Sequence, residues 1–262
     1  MRFARRDWTG GKTGMTIGAS MVFAALRPLM AVWHLWVRDG WTNVAHAIDA
    51  PHAVQAGDGL DRILLLGGHT SAGFGVLTHQ IGLVGALSRQ LSKTTGRGVE
   101  VQAIADVGMT LRVLASQARE MPALWADAVL VTVGINDALR LTPVGAWREQ
   151  LRTLIEVIRE RTDWGTPILI LQIPPAVMVW DFARVPARIA TSHARALNAE
   201  SQMLCRSLPH TTYVPFNPSQ LEGVPNLIQW RAAMYTEWSM KFVATVAESV
   251  HRETEYPGLP LV

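Results

Sequence analysis

Ala128 to Leu139 reads AVLVTVGINDAL. Its first half is a continuous run of small, branched and apolar residues. It is too short for a globular helix and is closed by Gly134. That is how a strand buried on both faces reads, since an exposed face would impose alternation with polar residues. A strand hidden on both faces requires cover from two sides, and the usual cover is helical.

Four further stretches repeat the pattern: Arg62–Gly67 (RILLLG), Val99–Ala105 (VEVQAIA), Pro167–Ile173 (PILILQI) and Thr211–Phe216 (TTYVPF). Helical periodicity lies between and after them. Val144, Trp147, Leu151, Leu154, Ile155 and Ile158 share one face, with Arg148, Arg152, Glu156 and Arg159 on the other. Ile189, Leu197, Leu204 and Leu208 mark another helix, and Trp238, Phe242, Val246 and Val250 a last one. The expectation is a five-stranded parallel sheet from Asp61 onward, with helices on both faces. In such sheets ligands sit outside the carboxyl ends of the strands. The loops after Leu66, Ala105, Gly134, Ile173 and Phe216 are therefore where chemistry is expected.

Three of those strand ends read Gly67-Gly68-His69-Thr70-Ser71, Ala105-Asp106-Val107-Gly108-Met109 and Gly134-Ile135-Asn136-Asp137. In order and spacing they resemble the blocks of the SGNH (GDSL-type) hydrolases, a family of esterases and lipases. The third matches the family's G-x-N-D block outright. The resemblance runs from about Asp61 to Glu248. It implies an α/β fold of flavodoxin-like, three-layer α/β/α build and a carboxylic-ester hydrolase ancestry.

It also exposes departures. The first family block is G-D-S; here Gly68 stands at the aspartate and His69 at the nucleophilic serine. The second-block glycine falls on Gly108 and the third-block asparagine on Asn136. With the backbone N–H of His69, these would form the oxyanion hole that the resemblance implies. Asn136 has an alternative role in tying loops together, and Asp137 is expected to cap the helix that follows. The family's D-x-x-H-P block falls on Met234 to Trp238, where Met234 and Glu237, or in the next register Tyr235 and Trp238, stand at the aspartate and histidine. With all three groups replaced, the route through an activated serine is closed.

Two residues present themselves as substitutes. If His69 meets Glu237, a carboxylate could orient an imidazole that activates water. The competing reading pairs Glu237 with Lys241 four residues on, a helix-face contact worth a few tenths of a kcal/mol. Ser71 is expected to be a helix-start cap, and His79, His193, His210 and His251 to be ordinary core or surface histidines. The missing proline matters too. From Pro225 to Val250 nothing breaks a helix, so the loop that should carry acid and base is expected to have become helical.

Outward from the domain, the picture changes. Residues 1–40 hold Arg2, Arg5, Arg6, Lys12, Arg27 and Arg38 against Asp7 and Asp39, so the first forty residues carry +4 and the other 222 sum to −1. The overall charge of +3 therefore belongs to the N-terminal segment. No dense basic stripe marks the rest, so no nucleic-acid partner is expected. Gly14–Val37 is apolar apart from Arg27 and His34. At about 1.5 Å per residue it would reach roughly 36 Å as a helix. Arg27 and Pro28 argue against a plain spanning helix and for one lying in the interface or a kinked re-entrant turn. A cleaved signal peptide and a buried helix of the domain itself are the alternatives. The chain is thus read as 1–40, a membrane-associating arm; 41–60, a linker; and 61–255, the hydrolase-like domain.

Gly11-Lys12-Thr13 mimics the end of a phosphate-binding loop, but the required first glycine falls on Arg6. The single cysteine, Cys205, excludes a Cys-based zinc site and an internal disulfide. No cofactor and no metal is expected. The partners expected are a small ester, acyl or carboxylate ligand and membrane lipid through the N-terminal segment. Three functions remain in play: an inactive or impaired esterase relative with a remnant acyl-binding cup, an active hydrolase built on His69 and Glu237, and a membrane-associated scaffold subunit.

Overall fold

The computed structural model describes residues 17–41, 44–179, 184–218, 224 and 226–251. The basic residues Arg2, Arg5, Arg6 and Lys12, the decoy at Gly11-Lys12-Thr13, and Pro225 lie outside the described residues. A helix, α1 (Ile17–Trp41), precedes a sheet with β1 (His52–Gln55), β2 (Asp58–Gly67), β3 (Arg97–Ala105), β4 (Ala128–Thr132), β5 (Ile168–Leu171) and β6 (Thr211–Val214). Between and after the strands run α2 (Leu83–Thr95), α3 (Leu111–Ala118), α4 (Ile135–Leu139), α5 (Val144–Arg161), α6 (Ala176–Val179), α7 (Arg184–Arg206) and α8 (Leu227–His251).

The sheet order is β1-β3-β2-β4-β5-β6. Each of the five strands expected from apolar runs is present, and those five are parallel. The sheet has a sixth strand that the sequence reading missed: β1 pairs antiparallel with β3, His52 opposite Gln102 and Gln55 opposite Val99. It comes from the stretch read as linker. Its four residues bury only Ala53 fully, because an edge strand covered on one face needs no apolar run. The sheet is therefore mixed, not wholly parallel.

Burial follows the pattern that identified the strands. Leu65, Leu66, Val129, Leu130, Ile168 and Leu169 have essentially no exposed surface. Trp147 on α5 is buried too, and its indole N–H donates to Ser201 Oγ of α7 at 2.9 Å, joining two helices over the sheet. At the end of β5, Asn198 of α7 both accepts from Ile173 N (2.9 Å) and donates to Ile173 O (3.0 Å). A side-chain amide thus supplies the pairing that a neighbouring strand would otherwise give.

The first helix runs through Pro28. Among the described residues no helix is long and apolar enough to cross a membrane. Met30 is buried, and Phe23, Leu26 and Trp33 pack partly against the core. After α1 the chain passes beside the loop that follows β2: His46 bridges Phe74, Ala47 N donates to Gly73 O at 3.2 Å, and Gly75 N to Ala45 O at 2.6 Å.

Candidate functional site

The carboxyl end of β2 delivers Gly67, Gly68 and His69 to the rim of the sheet. His69 is 1% exposed, its ring standing edge-on to Phe74 at 5.0 Å. Phe74 is held in turn by α8, whose Tyr235 hydroxyl donates to the Phe74 carbonyl at 2.7 Å. No helix begins at Thr70 or Ser71. The next one starts at Leu83, and the Ser71 hydroxyl instead pairs with Thr132 Oγ1 of β4 at 2.5 Å. The expectation of a helix cap at Ser71 is corrected: a hydroxyl pair at adjacent strand ends satisfies both groups locally.

His69 and Thr70 line a cavity of ≈ 30 Å³, together with Thr132 at the end of β4, Ile135 at the start of α4, Gln172 just after β5, and Phe216 and Trp238. That volume is the room of about one water molecule. Trp238 and Phe216 stand together in the cavity wall, their rings 5.3 Å apart. The indole N–H of Trp238 is buried and has no acceptor among the described residues.

The other two expected oxyanion donors are engaged elsewhere. Gly108 N donates to the Asp106 carboxylate at 2.7 Å. Asn136 spends both amide hydrogens on the loop after β3, one on Val107 O (2.9 Å) and one on Met109 O (2.8 Å). Its amide is a tie between loops, the alternative role open to it. Neither Gly108 nor Asn136 lines the cavity that holds His69.

Asp137 does not cap the helix that follows it, as expected, but one in the neighbouring unit. Its carboxylate accepts Leu111 N of α3 at 2.9 Å and the Thr142 hydroxyl at 3.1 Å. Burial pushes its pKa up to about 6, against the opposing pull of the Leu111 and Thr142 hydrogen bonds.

Met234 to Trp238, where the resemblance placed the fifth block, are helical, as expected. The α8 helix is continuous from Leu227 to His251, with Met234, Tyr235 and Trp238 on its buried face. Glu237 Oε1 meets Lys241 Nζ at 3.1 Å, the helix-face contact their spacing predicts.

Of the remaining histidines, His193 Nε2 donates to Thr142 O at 2.7 Å, and burial lowers its pKa. His251 faces Asp61 at 3.4 Å. Sequence reasoning missed one pairing: His79 Nδ1 lies 2.9 Å from Asp49 Oδ1, which also accepts His79 N at 2.8 Å. An oriented imidazole beside a carboxylate is the form of a general base. This one clamps the 44–49 segment to the loop after β2, and His79 is not among the residues lining the cavity. Thirty residues separate the two, so no local spacing could have revealed them.

A family model for the GDSL-like lipase/acylhydrolases matches residues 65–238. The chain belongs to that family. A carbohydrate acetylesterase family member from Sinorhizobium meliloti superposes with a TM-score of 0.51 at 18% identity, covering 72% of this chain and 99% of that one. An extracellular lipase from Streptomyces rimosus gives 0.48 at 16% identity, covering 71% and 99%. A salicylyl-acyltransferase from a tetracycline biosynthetic pathway gives 0.48 at 14% identity, covering 71% of this chain and 55% of that one, so the chain spans about half that protein's length. No curated protein matches the sequence.

Proposed function

We propose that this GDSL-family chain has given up ester hydrolysis and serves as a non-hydrolytic, scaffold-like member of the family. The observation that carries this reading is Trp238. It stands on an unbroken helix in the region where the family's acid and base are borne, and with Phe216 it fills the strand-end cavity to the room of about one water. Catalysis of acyl transfer needs a nucleophile, an oriented base and room for a tetrahedral carbon. His69 at the serine position supplies an imidazole, and Glu237 is drawn to Lys241. The remnant donors also argue for structure over chemistry, since Gly108 and Asn136 already donate to protein oxygens.

A second reading has one observation in its favour. A buried indole N–H with no acceptor among the described residues, lining a largely apolar cavity, is suited to the oxygen of a small acyl, ester or carboxylate group. Modest movement of Trp238 or Phe216 would be needed to admit it.

The test is turnover of short-chain aryl esters by the full chain, alongside His69→Ala and Glu237→Gln. No turnover above buffer is expected. Turnover lost in both variants would establish a hydrolase using an imidazole and a carboxylate, and the non-hydrolytic reading would fall.

A further inference from the structure

The described part of α1 presents two apolar stripes, and the domain uses only one. Phe23, Leu26, Met30 and Trp33 form the stripe against the core. At 3.6 residues per turn, Met21, Val22, Ala25, Leu29 and Val32 form a second stripe about 100° wide beside it. Its large members are bare: Met21 is 69% exposed, Val22 56%, and Leu29 and Val32 67% each. Arg27 lies about 170° round the helix from the middle of that stripe. An exposed run of this kind on an otherwise well-packed protein marks a contact surface.

We propose that the outer stripe of α1 beds into an anionic lipid surface, with the helix lying in the interface and the strand-end rim turned toward the lipid. Charge selects this occupant. Residues 1–40 carry +4 while the rest of the chain sums to −1, so the apolar stripe belongs to the basic part of the molecule. Apolar burial and attraction to anionic head groups add in such helices. The same arrangement argues against spanning, because the neighbouring stripe is occupied by the domain. A charge on the far side of the helix stays in water when the outer stripe is embedded.

The rim-facing orientation follows from where α1 is fastened. Phe23 stands edge-on to His193 at 4.7 Å, and His193 is bonded to Thr142, which follows α4 at the carboxyl end of β4. Beyond the other end of the helix, residues 45–47 are hydrogen-bonded to Gly73 and Gly75 in the loop that carries His69. Both anchorages lie on the side of the sheet where the cavity opens.

The experiment is flotation of the full chain with vesicles of phosphatidylcholine alone and of phosphatidylcholine mixed with phosphatidylglycerol. The double variant Leu29→Asp, Val32→Asp is compared with the parent, and melting by circular dichroism checks that both fold. The parent is expected to bind the anionic vesicles at least about tenfold more tightly than the neutral ones, weakening as salt rises. The double variant is expected to lose about tenfold or more of that binding with unchanged melting. Absence of binding to anionic vesicles, or undiminished binding by the double variant, overturns the proposal. So does a parent dimer that the double variant converts to monomer, which would assign the stripe to a second copy of the chain. Orientation is read with a fluorophore on Leu77→Cys in the rim loop or on Trp164→Cys at the opposite end of the sheet, Cys205 being buried. Lipid-borne spin labels should quench the first more than the second; equal or reversed quenching overturns the rim-facing placement.

Discussion

The carboxylate of Asp137 in α4 accepts the backbone N–H of Leu111 at 2.9 Å, so an acceptor for the first turn of α3 comes from a side chain that follows a different strand. The four leading N–H groups of a helix need acceptors, and Thr110 already provides one for Val113. The pair joins the loops after β3 and β4 into one unit. Its cost is a buried charge. Because the folded-state pKa is raised to about 6 from 3.8, the folded protein binds the proton more tightly than the unfolded chain. Stability from this group is therefore fullest below pH 4 and is lost as pH rises to about 6, on the order of 3 kcal/mol over the window. Asp137→Asn keeps an acceptor for Leu111 and removes the titration. Urea denaturation at several pH values should show the parent losing stability between pH 4 and 6 relative to Asp137→Asn. Parallel curves would refute the assignment.

His193 acts with the opposite sign. Its folded pKa is lowered by burial, so stability is lost as pH falls below the ordinary histidine value near 6.5. His193→Gln should lessen that acid loss in the same denaturation series. It should leave the difference between parent and Asp137→Asn unchanged if the two groups titrate independently through Thr142.

Asn136→Ala should destabilise by about 2–4 kcal/mol in chemical denaturation, because it strands one buried and one half-buried carbonyl that lose their donor. Asn136→Asp should be worse at neutral pH, placing a carboxylate against those same oxygens. A near-neutral result for either substitution would mean that the tie between the loops carries little.

Gly134→Ala should cost at least about 2 kcal/mol. Gly134 has φ +129°, which side chains avoid, and an added Cβ would lie 2.5 Å from Ile173 Cδ1 and 3.0 Å from Trp147 Cη2. Thermal melting of the single variant tests this directly; an unchanged melting temperature would contradict the close approach.

Trp238→Phe should stay within about 1 kcal/mol of the parent, since it retains most of the packing and removes a donor that has no acceptor. Trp238→Ala should cost about 3–5 kcal/mol through the void left beside Phe216 and Phe242. If short carboxylates raise the melting temperature of the parent but not of Trp238→Phe, the ligand-binding reading gains over the scaffold reading.

The sequence by itself determined the five parallel strands, because a strand buried on both faces must be written as an unbroken apolar run. It also pointed to α8, because nothing from Pro225 to Val250 breaks a helix. It could not show β1, whose burial on one face leaves no such run, nor the pairing of His79 with Asp49. Only the tertiary structure decided where the polar groups at the strand ends spend their hydrogen bonds. Asp137 and Ser71 were each expected to cap a nearby helix, yet Asp137 accepts from Leu111 of α3 and Ser71 pairs with Thr132 of β4, while Asn136 donates to the loop after β3. Local spacing limits which partners a side chain could reach, whereas burial makes it take those that the packed loops bring within about 3 Å.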